Sequence, residues 1–456
     1  WALDNWRGGI GGTCCFDEQI HPAVLEALAR RERADAVVCV PAAAALIDPT
    51  IVEAMVEHYR RIADSMRMTF SQAPPGLAPA ILATQLLAQL RENRAVPGFA
   101  LAYRPDQPQA DMIAKDCCYK VPAEIIHTAG RFLADCDRGV ERIAALLGEL
   151  DGQDDQLTAS AICRWQRERQ RGYVEPLPRE VEIELTTEDQ LPETTLRPRG
   201  SAVGKRGPIR LDLIDRLAGE LGRLDDSLVV VGGFGEPLLH PALAEILGRL
   251  RQAGIYGLGL RTNGIGLDAA AIEAICQARV DVVTVLLDAA TAETYRRVHG
   301  GDYFDQVQAN IEALVKARQD RSQAAPLIVP EMTKARDSLG DMEAFFDGWI
   351  RRLGWAVIDG YSHYAGQRPD RSVLKMAPPH RWACRRIFAR CMVLADGRVL
   401  CCDRDFTGSH AVGSLWRDSL AELWHGRAMQ HLRTSHLQGR YDGLGLCGSC
   451  TDWHRP

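Results

Sequence analysis

Six of the fourteen cysteines lie within residues 375–456, with a spacing that suits a metal centre. Cys447 and Cys450 form a Cys-x-x-Cys pair, in which two intervening residues let both sulfurs converge on one centre. A second pair would complete four thiolate ligands, and we favour Cys384 and Cys402 for it. Four thiolates hold either an iron-sulfur cluster or a zinc ion, and spacing alone does not separate the two.

The choice of the upstream pair depends on a predicted hairpin. Apolar runs on both sides of Asp396-Gly397 predict two strands joined by a tight type I′ turn. Cys401 and Cys402 are neighbours at the end of the second strand and point to opposite faces, so only one of them can readily face the centre. A two-residue turn would place Cys391 across from Cys402, which keeps Cys391 as an alternative to Cys384.

Upstream of this region, strand-like apolar runs alternate with helical patterns, which is typical of parallel α/β architecture. We predict a three-layer α/β domain over residues 1–150, a linker over 151–179, a partial (β/α)6 barrel over 180–365 and a small cysteine-rich domain over 375–456. The last domain can scarcely bury a core of its own, so a bound metal would stabilise it. The predicted strands are 35–40, 68–71 and 98–103 in the first domain, where 50–62 and 80–91 are predicted helices, and 181–185, 228–231, 257–260, 280–287, 327–329 and 356–358 in the barrel.

Three short motifs follow consecutive predicted strands of the barrel. They are Gly232-Gly233-Phe234-Gly235-Glu236-Pro237, Thr262-Asn263-Gly264 and Leu287-Asp288. Ligands of parallel α/β sheets bind beyond the carboxyl ends of the strands, so all three motifs fall where a site is expected. Glycine there lets the backbone approach a ligand closely. The residues that we predict to bind a cofactor are Gly232, Gly233, Gly235, Glu236 and Asn263.

The cysteine-rich region resembles the SPASM or twitch extension of radical S-adenosylmethionine enzymes. The resemblance runs through Cys384, the Asp396-Gly397 hairpin, Cys402-Asp403, Ser419-Leu420, Leu423-Trp424, and Cys447-x-x-Cys450-x-x-Trp453. It implies one auxiliary 4Fe-4S cluster bound by the four cysteines 384, 402, 447 and 450. Zinc is the alternative metal.

The barrel motifs, taken in order, resemble a radical S-adenosylmethionine core. The Cys-x3-Cys-x2-Cys loop of that family, which holds the catalytic cluster, should follow the first strand. This sequence has Asp189, Glu193 and Leu196 in the three cysteine places, and Leu286 where many members have a serine. Leucine cannot ligate iron, and carboxylates are hard donors poorly matched to iron-sulfur clusters. We therefore expect no usual radical-generating cluster, which puts the binding of S-adenosylmethionine in question.

Two interpretations of the barrel follow from this loss. In the first, the barrel is a retained scaffold, binding module or accessory subunit that no longer generates a radical. In the second, the protein is an active enzyme in which other cysteines, such as Cys163 or the Cys117-Cys118 pair, supply an unorthodox cluster site.

Residues 1–150 resemble nucleotidyltransferase-like sugar enzymes of the glycosyltransferase A type. The matching features are Leu3-Asp4-Asn5 with the glycine run 8–12, the strand 35–40, Leu46-Ile47-Asp48-Pro49 and Pro74-Pro75-Gly76-Leu77. Members place an aspartate after that strand to hold a divalent cation, and this sequence has Ala43 there. Because metal-assisted phosphoryl chemistry depends on the ion, the domain is either a recognition module or a transferase in which Asp48 or an upstream segment substitutes.

Composition and charge limit the binding partners and the cellular compartment that the sequence favours. The formal net charge of -6 argues against a general nucleic-acid grip, and no apolar run approaches the roughly 18 residues of a membrane span. Many cysteines in a long chain without a visible leader favour reduced thiols in the cytoplasm. The chain opens at Trp1 without an initiator methionine, so we expect an upstream segment. A protein partner and a small-molecule or peptide substrate are both compatible with this sequence.

Overall fold

The computed structural model describes residues 20–93, 97, 114–126, 128, 130–149, 157–169, 175–191, 194–374 and 377–455. The chain divides into two compact units, Trp1–Tyr173 and Val174–Pro456. The finer domain boundaries predicted from the sequence stay predictions.

The first unit contains a four-stranded mixed sheet. Its strands are β1 (Ala36–Cys39), β2 (Met68–Ser71), β3 (Ala80–Ala83) and β4 (Cys118–Tyr119), in the order β1-β3-β2-β4. Strand β3 runs antiparallel to β1 and β2, and β4 runs parallel to β2. The helices of this unit are Pro22–Arg31, Pro49–Ile62, Thr84–Glu92, Ala123–Ile126, Asp137–Glu149 and Ala159–Arg169.

The structure corrects one predicted helix of this unit. The helix predicted over 80–91 begins at Thr84, and the residues before it form β3. All four residues of β3 are buried, and periodicity cannot distinguish a short, fully buried strand from a helical segment. The predicted strand over 98–103 lies outside the described residues.

Six parallel strands form the larger part of the sheet in the second unit. They are β5 (Glu180–Glu184), β6 (Leu228–Gly232), β7 (Gly257–Thr262), β8 (Val282–Leu286), β9 (Leu327–Lys334) and β10 (Val357–Gly360), and they lie side by side in sequence order. The predicted parallel α/β fold is confirmed, and the described strands form an open sheet rather than a closed barrel. The intervening helices are Leu211–Leu221, Leu243–Gln252, Ala269–Gln277, Ala292–His299, Phe304–Asp320 and Met342–Leu353.

The helix Leu211–Leu221 shows why these segments fold as they do. Its apolar residues recur every three or four positions, so one face can pack on the sheet. Each fully buried leucine or isoleucine contributes about 1.5–3 kcal/mol of transfer free energy. The residues buried on this face are Leu213, Ile214, Leu217, Ala218 and Leu221.

The cysteine-rich region extends the same sheet. Strand β11 (Arg390–Val393) pairs in parallel with β5, β12 (Arg398–Leu400) pairs antiparallel with β11, and β13 (Ala411–Ser414) pairs antiparallel with β12. The region therefore shares the core of the parallel sheet, since Ile387, Val393 and Trp424 belong to the same cluster of buried residues. The short helices of this region are Arg386–Ala389, Leu420–Trp424, Arg427–Leu437 and Leu446–Ser449.

The turn between β11 and β12 differs from the predicted type I′ turn. Leu394 pairs with Arg398 through a 2.9 Å hydrogen bond, and the Gly397 amide donates 2.8 Å to the Leu394 carbonyl. The loop therefore has three residues, with Gly397 in the left-handed region at φ +85°. This is the geometry of a type I turn followed by a bulge, for which glycine is suited.

No helix in the described ranges is both long enough and apolar enough to cross a membrane.

Candidate functional site

The four predicted metal ligands come from three places in the cysteine-rich region. Cys384 precedes the helix Arg386–Ala389, and Cys402 follows β12. Cys447 lies in the helix Leu446–Ser449, and Cys450 comes directly after that helix. The thiols of Cys402, Cys447 and Cys450 each interact electrostatically with that of Cys384. The fold thus brings the other three thiols close enough to Cys384 for their charges to interact with it.

The observed hairpin register changes which cysteine lies across from Cys391. Met392 lies opposite Leu400, so continuing the register by one residue places Cys391 opposite Cys401 rather than Cys402. Cys391 and Cys401 are both buried members of the apolar core. Cys401 also interacts electrostatically with Cys384, which keeps it as an alternative to Cys402. The geometry of the hairpin favours a packing role for Cys391.

Burial determines the protonation of these thiols. It raises the pKa of Cys447 to about 12 and that of Cys402 well above its usual value, with neighbouring acidic groups adding to the effect. Because thiolates are the ligating form, metal binding at this site would release protons. Among the described residues, no group of three or more His, Cys, Asp and Glu side chains is close enough to hold a single metal ion.

Polar contacts fix the backbone around the cysteines. The Cys384 amide donates a 3.2 Å hydrogen bond to Nδ1 of His436, and Arg381 donates 2.6 Å to the Cys447 carbonyl. The Asp452 amide donates to Cys450 Sγ at 3.3 Å. The other ring nitrogen of buried His436 has no hydrogen-bond partner among the described residues. Thiols and a ring N–H are donor types that suit a sulfur-rich centre, although the described thiols do not gather closely enough to hold a single ion.

A chain of ion pairs connects Cys402 to the segment after Cys450. The Cys402 thiol lies 3.3 Å from Asp403 Oδ1, and Asp403 is paired with Arg386 at 2.5 Å and Arg404 at 3.2 Å. Arg404 also pairs with Asp452 at 3.0 Å. Burial opposes ionisation of Asp403, but the two arginines hold its pKa well below the usual range. The carboxylate beside the candidate ligand is therefore charged and compensated.

The predicted cofactor-binding glycines pack closely against the chain that follows β5. An added Cβ at Gly233, where φ is +86°, would lie 2.7 Å from the Cβ of Glu184. One at Gly235 would lie 2.2 Å from the Thr186 carbonyl oxygen, and one at Gly232 would lie 3.1 Å from the Cβ of Arg261. Protein packing by itself thus accounts for the three glycines.

Glu236 and Asn263 are buried in one hydrogen-bond network. Glu236 accepts from the Thr262 hydroxyl at 2.6 Å and from the amides of Asn263 at 2.7 Å and Leu238 at 3.1 Å. Asn263 Nδ2 donates to Asp189 at 3.0 Å. Burial raises the pKa of Glu236 to about 7, although these donors and Arg199 favour the ionised form.

The described residues that were predicted to stand in the family's cysteine places form internal contacts. Asp189 accepts a 2.6 Å hydrogen bond from Arg199, and the same guanidinium lies 3.7 Å from Glu236. Leu196 is buried in a small apolar cluster that includes Tyr361. Glu193 lies outside the described residues. An ion pair and a packed leucine do not fit a thiolate-ligated cluster at this loop.

The two remaining motif positions of the barrel are also occupied by internal contacts. Leu286 is buried at the end of β8. Asp288 accepts hydrogen bonds from Arg197 at 3.0 Å and from the Thr333 amide at 2.6 Å. It also lies 3.3 Å from Nε2 of His299. Asp288 therefore organises the ends of neighbouring strands.

The parallel strands and the Asp403-Arg404 turn line a charged cavity that includes Gly233 and Phe234 of the glycine-rich motif. The cavity volume is about 50 Å³. Charged residues within otherwise apolar strands could have predicted this cavity from the sequence. Alternate positions of a strand share one face, so such charges gather on one side of the sheet. The charged residues that line the cavity are Glu182, Arg197, Arg199, Arg261, Glu331, Asp359, Asp403 and Arg404.

The candidate residues of the first unit have structural roles where they are described. Asp48 caps the helix Pro49–Ile62, accepting from the Thr50 amide at 2.8 Å and the Ala159 amide at 2.6 Å. These bonds leave Asp48 poorly placed to replace a cation ligand at the Ala43 position. The segment 1–19, with the predicted glycine run, lies outside the described residues.

The cysteines considered as unorthodox ligands are also buried in this unit. Cys117 and Cys118 pack in one apolar cluster, and Cys163 packs in another. Within the described part of the first unit, these three thiols therefore do not share a packing cluster.

Two family models match the second unit. Residues 192–339 match a model described as the radical SAM superfamily, and residues 384–451 match the SPASM model, described as an iron-sulfur cluster-binding domain. The two matches contain the motifs of the barrel and the four candidate cysteines.

Curated relatives match parts of the chain. An uncharacterized protein of Treponema pallidum (strain Nichols) is 28% identical over 250 residues, which cover 53% of this chain and 68% of that protein. A probable GTP 3′,8-cyclase of Methanothermobacter marburgensis is 32% identical over 113 residues. That match covers 25% of this chain and only 35% of the cyclase.

Solved structures match the chain at low identity and with TM-scores below 0.5. Streptococcus suis SuiB, bound to its precursor peptide SuiA, is 10% identical with a TM-score of 0.49, and the match covers 70% of this chain and 84% of SuiB. BtrN, in complex with AdoMet and 2-DOIA, is 18% identical with a TM-score of 0.42, covering 60% and 93%.

Proposed function

Because residues 192–339 and 384–451 make this chain a member of the radical S-adenosylmethionine/SPASM family, we propose that it is an iron-sulfur protein without radical chemistry. In this proposal one auxiliary 4Fe-4S cluster is bound by the four cysteines 384, 402, 447 and 450. The barrel serves as a scaffold or binding module, and the protein acts in the cytoplasm with a protein partner or a small ligand.

The observation that carries this proposal is the Asp189–Arg199–Glu236 arrangement. Asp189 stands in the place of the first loop cysteine, and Glu236 belongs to the glycine-rich motif after β6. Arg199 is buried and contacts both carboxylates. The charges at this end of the parallel sheet are thus compensated internally, which supports loss of the usual cluster.

The cysteine-rich region supports a retained cluster. Its candidate ligands interact through Cys384, and compensated charges surround them. When bound, an auxiliary cluster would provide electron storage or a structural staple for this region. The chain's own contribution is to hold the thiols and to place His436 and Arg386 beside them.

Metal analysis of protein purified anaerobically, without reconstitution, tests the cluster proposal. We expect about four irons and about four sulfides per chain, with little zinc. About eight irons would indicate a second cluster and favour the active-enzyme alternative. Zinc without iron would reject the iron-sulfur proposal.

An activity assay tests the loss of radical chemistry. The purified protein is incubated with S-adenosylmethionine and dithionite, and 5′-deoxyadenosine is measured by mass spectrometry. We expect no product above a protein-free control. Formation of 5′-deoxyadenosine would support the alternative with unorthodox ligation. Metal-dependent turnover of a nucleotide sugar, measured in parallel, would instead support a transferase role for the first unit.

A further inference from the structure

Three side chains connect the two chain segments that carry Cys384 and Cys447. These segments are distant in sequence, and no pairing among the described strands joins them. The three side chains are Arg381, Tyr441 and His436, and each of them contacts the next. We call these three residues the side-chain bridge.

Arg381 forms the end of the bridge that contacts Cys447. Its guanidinium donates a 2.6 Å hydrogen bond to the Cys447 carbonyl and one of 3.4 Å to the Gly448 carbonyl. The central carbon of the same group lies 3.7 Å from the centre of the Tyr441 ring. A cation over an aromatic face is attracted by the π electrons of the ring. Arg381 therefore joins Tyr441 to the backbone of the Cys-x-x-Cys pair.

His436 forms the end of the bridge that contacts Cys384. Its Nδ1 accepts a 3.2 Å hydrogen bond from the Cys384 amide, so this nitrogen carries no proton. Burial, aided by the positive charge of Arg381, lowers the pKa of His436 to about 4, which keeps the acceptor at neutral pH. The ring is 2% exposed and meets Tyr441 edge to face, with centroids 5.1 Å apart and planes at 89°. Because this contact is directional, the position of one ring restricts that of the other.

The segment that leads to Cys447 is conformationally demanding. Gly443 and Gly445 have positive φ values of +77° and +54°, and glycine loses much conformational entropy when its backbone is fixed. The helix that contains Cys447 has four residues, too few to be stable by itself. Ser449 Oγ donates 2.6 Å to the Ala365 carbonyl, which anchors the Cys-x-x-Cys pair to the segment after β10. The contact with the other ligand segment depends on the bridge.

We propose that the side-chain bridge is a positioning element, which fixes the backbones of Cys384 and Cys447 relative to each other so that both thiols serve one metal centre. The inference rests on the proposed function, because it takes both cysteines as ligands of the same cluster. The bridge residues act through the two cysteines and do not bind the metal themselves. Outer contacts of this kind orient ligands, and their loss commonly costs about 10–100-fold in metal affinity.

The rate of iron release from the full chain tests this inference. Ferrozine is added to anaerobic protein that contains its cluster, and the loss of visible absorption is followed with time. Arg381→Met, Tyr441→Leu and His436→Leu each break the bridge at a different residue, so each should accelerate the release at least about tenfold. Three variants are used because two remain informative if one fails to fold. Native release rates in the folded variants would overturn the inference.

Conservative substitutions separate the bridge from general packing. Tyr441→Phe keeps the aromatic ring and His436→Asn keeps a hydrogen-bond acceptor near the position of Nδ1, so both should release iron at nearly the native rate. Arg440→Met removes a neighbouring exposed arginine and controls for the loss of charge in Arg381→Met. If the conservative variants released iron as fast as the leucine variants, the positioning role would be rejected.

A double variant distinguishes one connected bridge from separate packing contacts. One broken link already disconnects the two segments, so Arg381→Met combined with His436→Leu should release iron no more than about twofold faster than the faster single variant. If the two accelerations multiplied, the residues would act independently and the bridge would be disproved.

Cross-linking of the metal-free chain separates this inference from the proposed function. Dibromobimane joins two nearby thiols, and peptide mass spectrometry measures the yield of the product between Cys384 and Cys447. We expect the leucine variants at 436 and 441 to lower this yield relative to the native chain and to the conservative variants. A chain that is purified without iron but shows this dependence rejects the cluster and keeps the positioning role. A chain with its cluster, in which neither iron release nor cross-linking depends on the bridge, overturns the positioning role alone.

Discussion

Arg199 donates a 2.6 Å hydrogen bond to Oδ2 of Asp189, the residue predicted from the sequence to stand where the family has its first cluster cysteine. The same guanidinium approaches Glu236 at 3.7 Å. Arg199 therefore gives two buried carboxylates a shared cationic partner. This relationship connects the predicted change in the loop to the stability of the parallel sheet.

Replacing Arg199 should strongly destabilise the protein. Arg199→Gln would leave the buried carboxylates of Asp189 and Glu236 without their cation, which costs about 3–5 kcal/mol. Urea unfolding followed by circular dichroism measures the change. Lys316→Gln removes an exposed ion pair and should leave the free energy of unfolding nearly unchanged. Equal effects of the two substitutions would contradict the role assigned to Arg199.

The stability contribution of Glu236 should depend on pH. Burial raises its folded-state pKa to about 7 from a usual value of 4.5, while Arg199 and the hydrogen-bond donors oppose this rise. The contribution is fully present below pH 4.5 and is lost as the pH rises through about 7. The free energy of unfolding of the native chain should therefore fall relative to that of Glu236→Gln across this window. A constant difference between the two proteins would disprove the assignment.

Cysteine substitutions should separate ligands from packing residues. Serine at position 384, 402, 447 or 450 should lower iron and sulfide content and bleach the visible absorption of the cluster. Cys391→Ala and Cys276→Ala should retain iron, because both side chains are buried in the apolar core. Cys401→Ala decides the remaining alternative, since loss of iron there, with retention in Cys402→Ser, would reverse the assignment between these neighbours.

Arg386 should tune the reduction potential of the cluster. It is buried, pairs with Asp403, and interacts electrostatically with Cys384 and Cys402. Arg386→Gln removes a positive charge beside the candidate ligands, so the reduced cluster should be less stable and the midpoint potential more negative. A redox titration monitored by electron paramagnetic resonance measures the shift. Arg352→Gln, at an exposed arginine, serves as the control. Equal midpoint potentials in the two variants would refute the effect.

Matched glycine substitutions should show that the motif after β6 is constrained by packing. Gly235→Ala would place a Cβ 2.2 Å from the Thr186 carbonyl oxygen, so we expect a loss of about 1–3 kcal/mol. Gly248→Ala meets no atom within 4 Å in the helix Leu243–Gln252 and should stabilise by up to about 1 kcal/mol. Thermal unfolding of both variants checks this, and a harmless Gly235→Ala would argue against the close contact.

The sequence predicted the parallel strands of the second unit and the ligand chemistry of its last region. Buried strands such as β6 announce themselves through short apolar runs, and thiol spacing is a local property of the chain. The absence of cysteine between residues 163 and 276 is also read directly from the sequence, and Leu196 is unsuited to iron whatever surrounds it.

Only the tertiary structure decided how these pieces meet. The bulge at Gly397 moved the hairpin register by one residue, which placed Cys401 rather than Cys402 opposite Cys391. The contact of Arg199 with Asp189, the pairing of β11 with β5 and the cavity shared by Glu182 and Asp359 all join residues distant in sequence. Local propensity carries no information about such contacts, because they depend on how the whole sheet curves and packs.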